Sequence, residues 1–102
     1  MTDTVLLTLV APRSAAPQVE DLLLSCPPPV SGFLGSDAAG HGLDLVFDEP
    51  GERVRGRARR IVFQVVAPRP AMDALLALLG ERLTNVRLHY WITPVLALGS
   101  IG

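Results

Sequence analysis

Apolar residues, β-branched ones among them, are concentrated in four stretches of the chain, at residues 4–10, 30–36, 57–67 and 85–98. Stretches of this kind are typical of β-strands, in which successive side chains point to opposite faces of the sheet. Glycine interrupts the second stretch at Gly32, and proline interrupts the fourth at Pro94. A proline within a strand pattern favours an edge strand or a bend.

Two further stretches repeat their apolar residues at helical spacing. In the first, Ser14 is predicted to cap a helix whose first turn accepts Pro17, and Cys26 with the three prolines after it is predicted to end that helix. The apolar stripe of this helix is Val19, Leu22 and Leu23. The second stripe is longer and consists of Met72, Leu75, Leu76, Leu79 and Leu83.

The resulting order is β-α-β-β-α-β, which predicts an α+β, ferredoxin-like antiparallel sheet with two helices on one face. We expect a single domain over residues 1–102. A segment rich in glycine, aspartate and proline at about residues 37–57 predicts a long loop between the second and third strands. Within it, residues 43–47 could form a short strand.

The strands carry apolar side chains on both faces. Val5, Leu7 and Leu9 lie on one side of the first strand, and Leu6 and Val10 lie on the other. Two helices can cover only one face of the sheet. Burial of apolar surface is worth about 25 cal/mol per Å2, so an uncovered second face favours closed self-association. We therefore expect a homo-oligomer.

Composition narrows the class of protein. The chain has 102 residues, 49% of them hydrophobic, and a formal net charge of −1. This charge argues against a nucleic-acid-binding protein, which would have a basic surface. No apolar stretch is long enough to cross a bilayer, so no membrane insertion is expected. The single cysteine, Cys26, fits a reducing compartment, and a cytoplasmic location is expected.

Arginine is concentrated in one place. The chain has nine arginines and no lysine, and five of the arginines fall within residues 53–60. If this segment is extended, Arg53, Arg55, Arg57 and Arg59 share a face. Guanidinium groups bind phosphates and carboxylates through paired hydrogen bonds, which makes a small anion the first ligand to consider.

Two interpretations of these arginines stay open. In the first, they belong to a solvated hairpin and pair with the acidic residues of the same loop, Asp44, Asp48, Glu49 and Glu52; such pairs contribute only about 0–1 kcal/mol each. In the second, Arg59 and Arg60, nearest the third strand, help to form a ligand cleft. Arg53 and Arg55 lie further out and suit contact with a protein partner.

A divalent metal is the alternative ligand. His41 lies between Gly40 and Gly42 in the predicted loop, and an imidazole there could bind a metal or respond to pH. Cys26 and His89 could join His41 across a subunit boundary. The three residues lack the close spacing of a zinc motif, and an exposed loop histidine and a strand histidine with its own partner are the simpler interpretations.

Tyr90 and Trp91 are predicted to point to opposite faces of the last strand. Packing in the core and at an interface is the simpler role for these rings, and stacking of Trp91 on a ligand is the alternative. The chain contains no Ser-His-Asp arrangement, phosphate-binding loop or HExxH motif, and the adjacent Asp48 and Glu49 do not suit acid-base catalysis. We therefore predict that the protein is not an enzyme.

Three segments carry recognisable motifs: residues 40–42 (Gly-His-Gly), residues 52–57 (Glu-Arg-Val-Arg-Gly-Arg) and residues 89–95 (His-Tyr-Trp-Ile-Thr-Pro-Val). Together they resemble an uncharacterised bacterial family often encoded beside heavy-metal efflux pumps of the resistance-nodulation-division type. In fold, that family is similar to PII signalling proteins and to the CutA proteins of divalent-cation tolerance.

The resemblance implies a trimer with ligand clefts between neighbouring subunits and a long loop that reports occupancy to a transporter or enzyme. It implies a regulator linked to metal homeostasis that senses a nucleotide or another small anion. The ligand-binding residues would be Gly40, His41, Gly42, Arg57, Arg59, Arg60 and Trp91. The alternatives are direct metal binding in the manner of CutA, and an interaction module that docks on a membrane efflux transporter without a ligand.

Overall fold

The computed structural model describes residues 3–30, 32–40 and 58–102. These residues form four strands and two α-helices in the predicted order. The elements are β1 (Thr4–Pro12), α1 (Ala16–Leu24), β2 (Phe33–Gly40), β3 (Ala58–Pro68), α2 (Arg69–Arg82) and β4 (His89–Pro94), with a 3-10 turn at Arg13–Ala15 between β1 and α1.

The strands build one sheet in the order β2-β3-β1-β4, and every neighbouring pair is antiparallel. The two middle strands, β1 and β3, therefore pair on both sides, and β4 is an edge strand as Pro94 indicated. This arrangement confirms the predicted α+β, ferredoxin-like fold with an antiparallel sheet and two helices.

The core lies between the sheet and the two helices. Alternate residues of β1 point into it, and Leu7 is fully buried there. Phe63 and Val65 of β3 lie opposite Leu9 and Leu7 and point the same way. The helices contribute the predicted stripes, with these side chains buried: Val19, Leu22, Leu23, Met72, Leu75 and Leu79. Helical periodicity thus identifies the core residues of the two helices correctly, while the structure shows which apolar face of the strands belongs to the core.

The start of α1 differs from the prediction. Ser14 lies inside the 3-10 turn, and no side chain caps α1, whose N-cap position is Ala15. The chain turns directly from Pro12 into the 3-10 turn, so the position that needs a cap falls after Ser14 rather than on it. Pro17 does lie in the first turn of the helix, where its missing N–H costs nothing.

The second strand begins and ends later than its apolar pattern predicts. It starts at Phe33 and continues to Gly40, so residues 37–40 of the predicted loop are strand. Small residues can form part of a strand when the neighbouring strand offers hydrogen-bonding partners to their backbone. Here β3 offers these partners, because Ala38 pairs with Arg60 and Gly40 pairs with Ala58. The other residues of the predicted loop, including the possible strand at 43–47, lie outside the described residues.

The last strand is shorter than predicted. It runs from His89 to Pro94 instead of over residues 85–98. The Val95 N–H still donates to the carbonyl of Thr4 at 3.1 Å. Thr4 is the first residue of β1, so residues beyond Val95 have no further strand beside them. Within the described residues, no helix is long and apolar enough to span a membrane.

Replacement of a core leucine should lower stability sharply. We expect Leu7→Ala to reduce the free energy of unfolding by about 2–5 kcal/mol, because it removes a fully buried side chain between the sheet and the helices. The matched control is Leu24→Ala at an exposed position of α1, which should change it by less than about 0.5 kcal/mol. Urea unfolding at one fixed protein concentration measures both; equal losses would contradict this core.

Candidate functional site

The sheet has a second face, turned away from the helices. We use this term for the alternate residues of each strand that the pairing places together: Leu6, Thr8, Val10, Leu34, Ser36, Arg60, Val62, Gln64, Val66, His89, Trp91 and Thr93. The second face is mixed in character. Valine and leucine share it with hydroxyl, amide, imidazole and guanidinium groups, so it is less uniformly apolar than the sequence pattern indicates.

Arg60 is the buried charged residue of the described chain. It lies on the second face opposite Pro12 and Ala38, and it is only 4% exposed. Its Nη1 donates to the carbonyl oxygen of Arg59 at 3.0 Å, and no buried side-chain nitrogen or oxygen among the described residues lacks a hydrogen-bond partner. A buried guanidinium is tolerated only when it is hydrogen-bonded, as here. Burial leaves Arg60 few atoms with which to meet a ligand.

The neighbouring Arg59 lies on the other side of β3. It is exposed and pairs with Ala39 of β2, while Gly40 pairs with Ala58 one step further along. Gly40 therefore lies close to the β3 arginines, because it pairs with the residue just before them. The side chains of Arg59 and Arg60, however, lie on opposite faces of the sheet. Of the two, Arg59 is more accessible to an anion.

His89 and Trp91 share the second face. His89 lies opposite Val10, and Trp91 lies opposite Thr8. Thr8 in turn lies opposite Gln64, and Gln64 lies opposite Leu34. Trp91, Thr8, Gln64 and Leu34 therefore form one row across all four strands. Trp91 is 46% exposed and Leu34 is 71% exposed. This row gives the second face its largest exposed apolar side chains.

Tyr90 points to the helix side, so the predicted separation of Tyr90 and Trp91 is confirmed. Tyr90 lines an open cavity of about 240 Å3 between α2 and β4. The other lining residues are Leu9, Leu76, Leu79, Gly80, Leu83, Val86 and Leu88. The cavity is smaller than typical ligand pockets, which measure about 300–1,000 Å3, and its lining offers one polar side chain. It does not suit a charged ligand.

Cys26 lies on the helix side, beyond the end of α1. Its Sγ donates to the carbonyl of Leu22 at 3.4 Å, and it borders an apolar groove with Ala71 and Leu78 of α2. His89 lies on the opposite face of the sheet, so Cys26 and His89 of the same subunit cannot bind one metal ion together. Within the described ranges, no group of three histidine, cysteine or acidic residues could hold a metal ion. His41, the third predicted metal ligand, lies outside them.

The remaining predicted site residues also fall in the part of the chain that is not described. They are Gly42, Arg53, Arg55 and Arg57. The strand ends that flank this segment, Gly40 and Ala58, are paired with each other.

Sequence reasoning missed the polar row beside Trp91. Thr8 is buried, and Gln64 is exposed in the adjacent strand. Both occupy the same alternate positions as Leu6 and Val66, and that period-2 placement is the signal that could have found them. Hydroxyl and amide groups here give the second face hydrogen-bonding capacity that an apolar interface alone would lack.

The fold is an antiparallel α+β sandwich of one sheet and one helical layer. Over residues 1–102, the chain matches the family model described as protein of unknown function DUF3240, and it belongs to that family. No curated protein matches it.

Solved structures with the same fold come from several bacteria. A DUF3240 family protein from Shewanella baltica has 22% sequence identity and a TM-score of 0.80, over 100% of both chains. A protein named as a candidate PII-like signalling protein from Thermus thermophilus has 17% identity and a TM-score of 0.60, over 90% of this chain and 86% of that one. A Bacillus cereus protein related to NIF3 has 11% identity and a TM-score of 0.64, over 94% of this chain and 26% of that one. These likenesses establish the fold.

The two β3 arginines should differ in their effect on stability. We expect Arg60→Ala to lower the free energy of unfolding by about 2 kcal/mol, because it removes a buried side chain and its charge-assisted hydrogen bond. Arg59→Ala, at the exposed neighbouring position, should lower it by less than about 0.5 kcal/mol. Urea unfolding of both variants measures the difference. A larger loss for Arg59→Ala would contradict the assignment of faces.

Proposed function

We propose that this protein is a small PII-like regulator that assembles as a trimer and binds a nucleotide or another small anion in clefts between its subunits. The observation that carries the proposal is the second face of the sheet. It carries exposed apolar side chains, Leu34 and Trp91, and the adjacent strand β3 offers an exposed guanidinium at Arg59. Apolar exposure of this kind favours contact with another surface, and a guanidinium favours an anion.

Assembly would complete the ligand site. In one chain, Arg59 is exposed at the end of β3, and His89 and Trp91 lie across the sheet on the second face. These groups are too far apart, and on different faces, for one small ligand to contact them within one subunit. A cleft between two subunits would bring one subunit's arginines close to the neighbour's second face. The likeness in fold to the Thermus thermophilus protein, which is named for PII-like signalling, supports the regulatory role.

The proposed regulator would act on a membrane transporter, in keeping with the resemblance to a family encoded beside heavy-metal efflux pumps. The segment around residues 41–57 would report ligand occupancy, with Arg53 and Arg55 in contact with the partner. An acidic surface on the transporter would suit these arginines. Cytoplasmic location and a role in metal homeostasis belong to the same proposal.

Direct binding of a divalent metal is less well supported. It would need His41 and His89 from different subunits, with Cys26 or a carboxylate to complete the site. Cys26 faces the helical layer and is bound to the Leu22 carbonyl. The anion is therefore the ligand that we propose, and a divalent metal ion is the alternative ligand to test in the same titrations.

Isothermal titration of the purified protein with ATP, ADP, bicarbonate and citrate tests the proposed function. We expect one of these anions to bind, and Arg59→Ala to weaken its affinity about tenfold or more, because a charge-assisted hydrogen bond contributes about 1.5–3 kcal/mol. The control is Arg82→Ala, an equally charged and exposed residue at the end of α2, which should leave the affinity unchanged.

Two results would contradict the anion proposal. One is the absence of binding by all four anions at millimolar concentration. The other is an equal loss of affinity in Arg59→Ala and Arg82→Ala, which would indicate unspecific attraction by surface charge. Binding of Zn2+ or Cu2+ that is lost in His89→Ala, without any anion binding, would favour the metal alternative.

A further inference from the structure

Residues 95–102, which follow β4, form an exposed apolar segment that we call the C-terminal arm. Leu96 and Ile101 are fully exposed, and Leu98 is 72% exposed. The arm contains no charged residue, and its only polar side chain is Ser100. Segments that stay in water are normally polar or charged, so large apolar side chains in such an arm indicate a surface that another molecule covers.

The arm leaves the fold at the β4 edge of the sheet. The Val95 N–H donates to the Thr4 carbonyl, and Leu96 borders the same open surface cavity as Asp3 and Arg69, near the start of β1 and α2. No strand of the described chain runs alongside the arm after this point. The arm is therefore positioned to extend away from its own subunit.

The opposite edge of the sheet presents a matching apolar position. Leu34 in β2 lies on the second face and is 71% exposed. The next residue of β2 on the same face is the small, exposed Ser36, so an approaching chain meets little steric hindrance there. We propose that the C-terminal arm of one copy packs along β2 of a second copy, where Leu96 and Leu98 cover Leu34.

The contact has to form between copies. β2 and β4 are separated by β3 and β1, which places them about 14 Å apart at ordinary strand spacing. Leu34 also shares its row with Thr8, four residues from Thr4, which adds about 13 Å along the strand direction. The arm would have to reverse its direction and cross the end of the sheet to approach its own Leu34.

A contact between two different edges is heterologous, so it generates either a closed ring or an open filament. This inference rests on the proposed trimer, and it specifies how the ring is closed: each copy gives its arm to one neighbour and receives an arm from the other. A lipid surface is a less suitable partner, because the arm lacks the basic and aromatic residues typical of interfacial anchors.

Disulfide trapping between separately purified variants tests the contact. In a Cys26→Ser background, Leu34→Cys protein is mixed with Leu98→Cys protein and oxidised gently. We expect a disulfide-linked dimer that contains one chain of each, because the two Cα atoms come within about 7 Å only when the arm lies on β2. The matched control is Leu24→Cys mixed with Leu98→Cys. Leu24 is also 71% exposed but lies on α1, and this mixture should give no such dimer.

Equal yields of mixed dimer in the two experiments, or no mixed dimer in either, would overturn the proposed contact. The double variant Leu34→Cys/Leu98→Cys adds a test of closure. It should give a covalent trimer on a non-reducing gel, and a ladder of larger species would contradict a closed ring.

Deletion of residues 96–102 separates this inference from the proposed function. We expect the shortened chain to keep its circular dichroism spectrum and to sediment as a smaller species than the full chain. A trimer that survives the deletion would contradict only the role of the arm. A full chain that sediments as a single subunit of 10.9 kDa would contradict the trimer itself.

Binding of the full chain, but not the shortened one, to phosphatidylcholine–phosphatidylglycerol vesicles would overturn the contact between copies and assign the arm to lipid instead.

Discussion

The whole structure depends on one constraint: a sheet has two faces, and two helices cover only one of them. The covered face holds the core, in which Leu7 and Phe63 are almost completely buried between β1, β3 and the helices. The second face is left with Leu34 and Trp91 exposed. The proposed assembly and the proposed shared ligand site both follow from the need to cover this face.

The two faces of the sheet also give the neighbouring arginines of β3 different environments. Burial of a guanidinium is costly unless hydrogen bonds compensate for the lost water, and Arg60 is buried with its Nη1 bound to a backbone carbonyl. Arg59, the next residue, is exposed on the other side of β3. One arginine is thus part of the folded framework, and the other lies at the surface, where a ligand can reach it. The two arginines differ in this way because successive side chains of a strand point to opposite faces of the sheet.

Much of the fold could be predicted from the sequence because periodicity reports directly on burial. The stripe from Met72 to Leu79 identified α2, and the period of two in β1 and β3 identified which residues share a face. The structure shows which of the two faces holds the core. The errors fall where backbone pairing, rather than side-chain pattern, decides the structure. Residues 37–40 (Asp-Ala-Ala-Gly) include no large apolar residue, yet they extend β2 because β3 supplies their hydrogen-bonding partners. Residues 96–98 have the apolar pattern of a strand, yet β1 begins at Thr4 and has no further residue to pair with them.

The candidate site was less predictable than the fold. Sequence spacing placed Arg59 and Arg60 together, but it could not show that one is exposed and the other buried. It also gave no reason to exclude a shared site for Cys26 and His89, which the sheet separates. Proximity across strands depends on register, and a single sequence does not determine register. For the same reason, the row that joins Leu34, Gln64, Thr8 and Trp91 became visible only in the structure.

Trp91 allows the most direct measurement of the central claim, because it is the single tryptophan of the chain and lies on the second face. Acrylamide quenching of its fluorescence should be followed as the protein is diluted. If copies of the chain cover this face, Trp91 will be shielded and its emission shifted to the blue in concentrated protein, and both effects will disappear on dilution as subunits separate. Trp91 that is quenched as a half-exposed indole at every concentration would contradict the account.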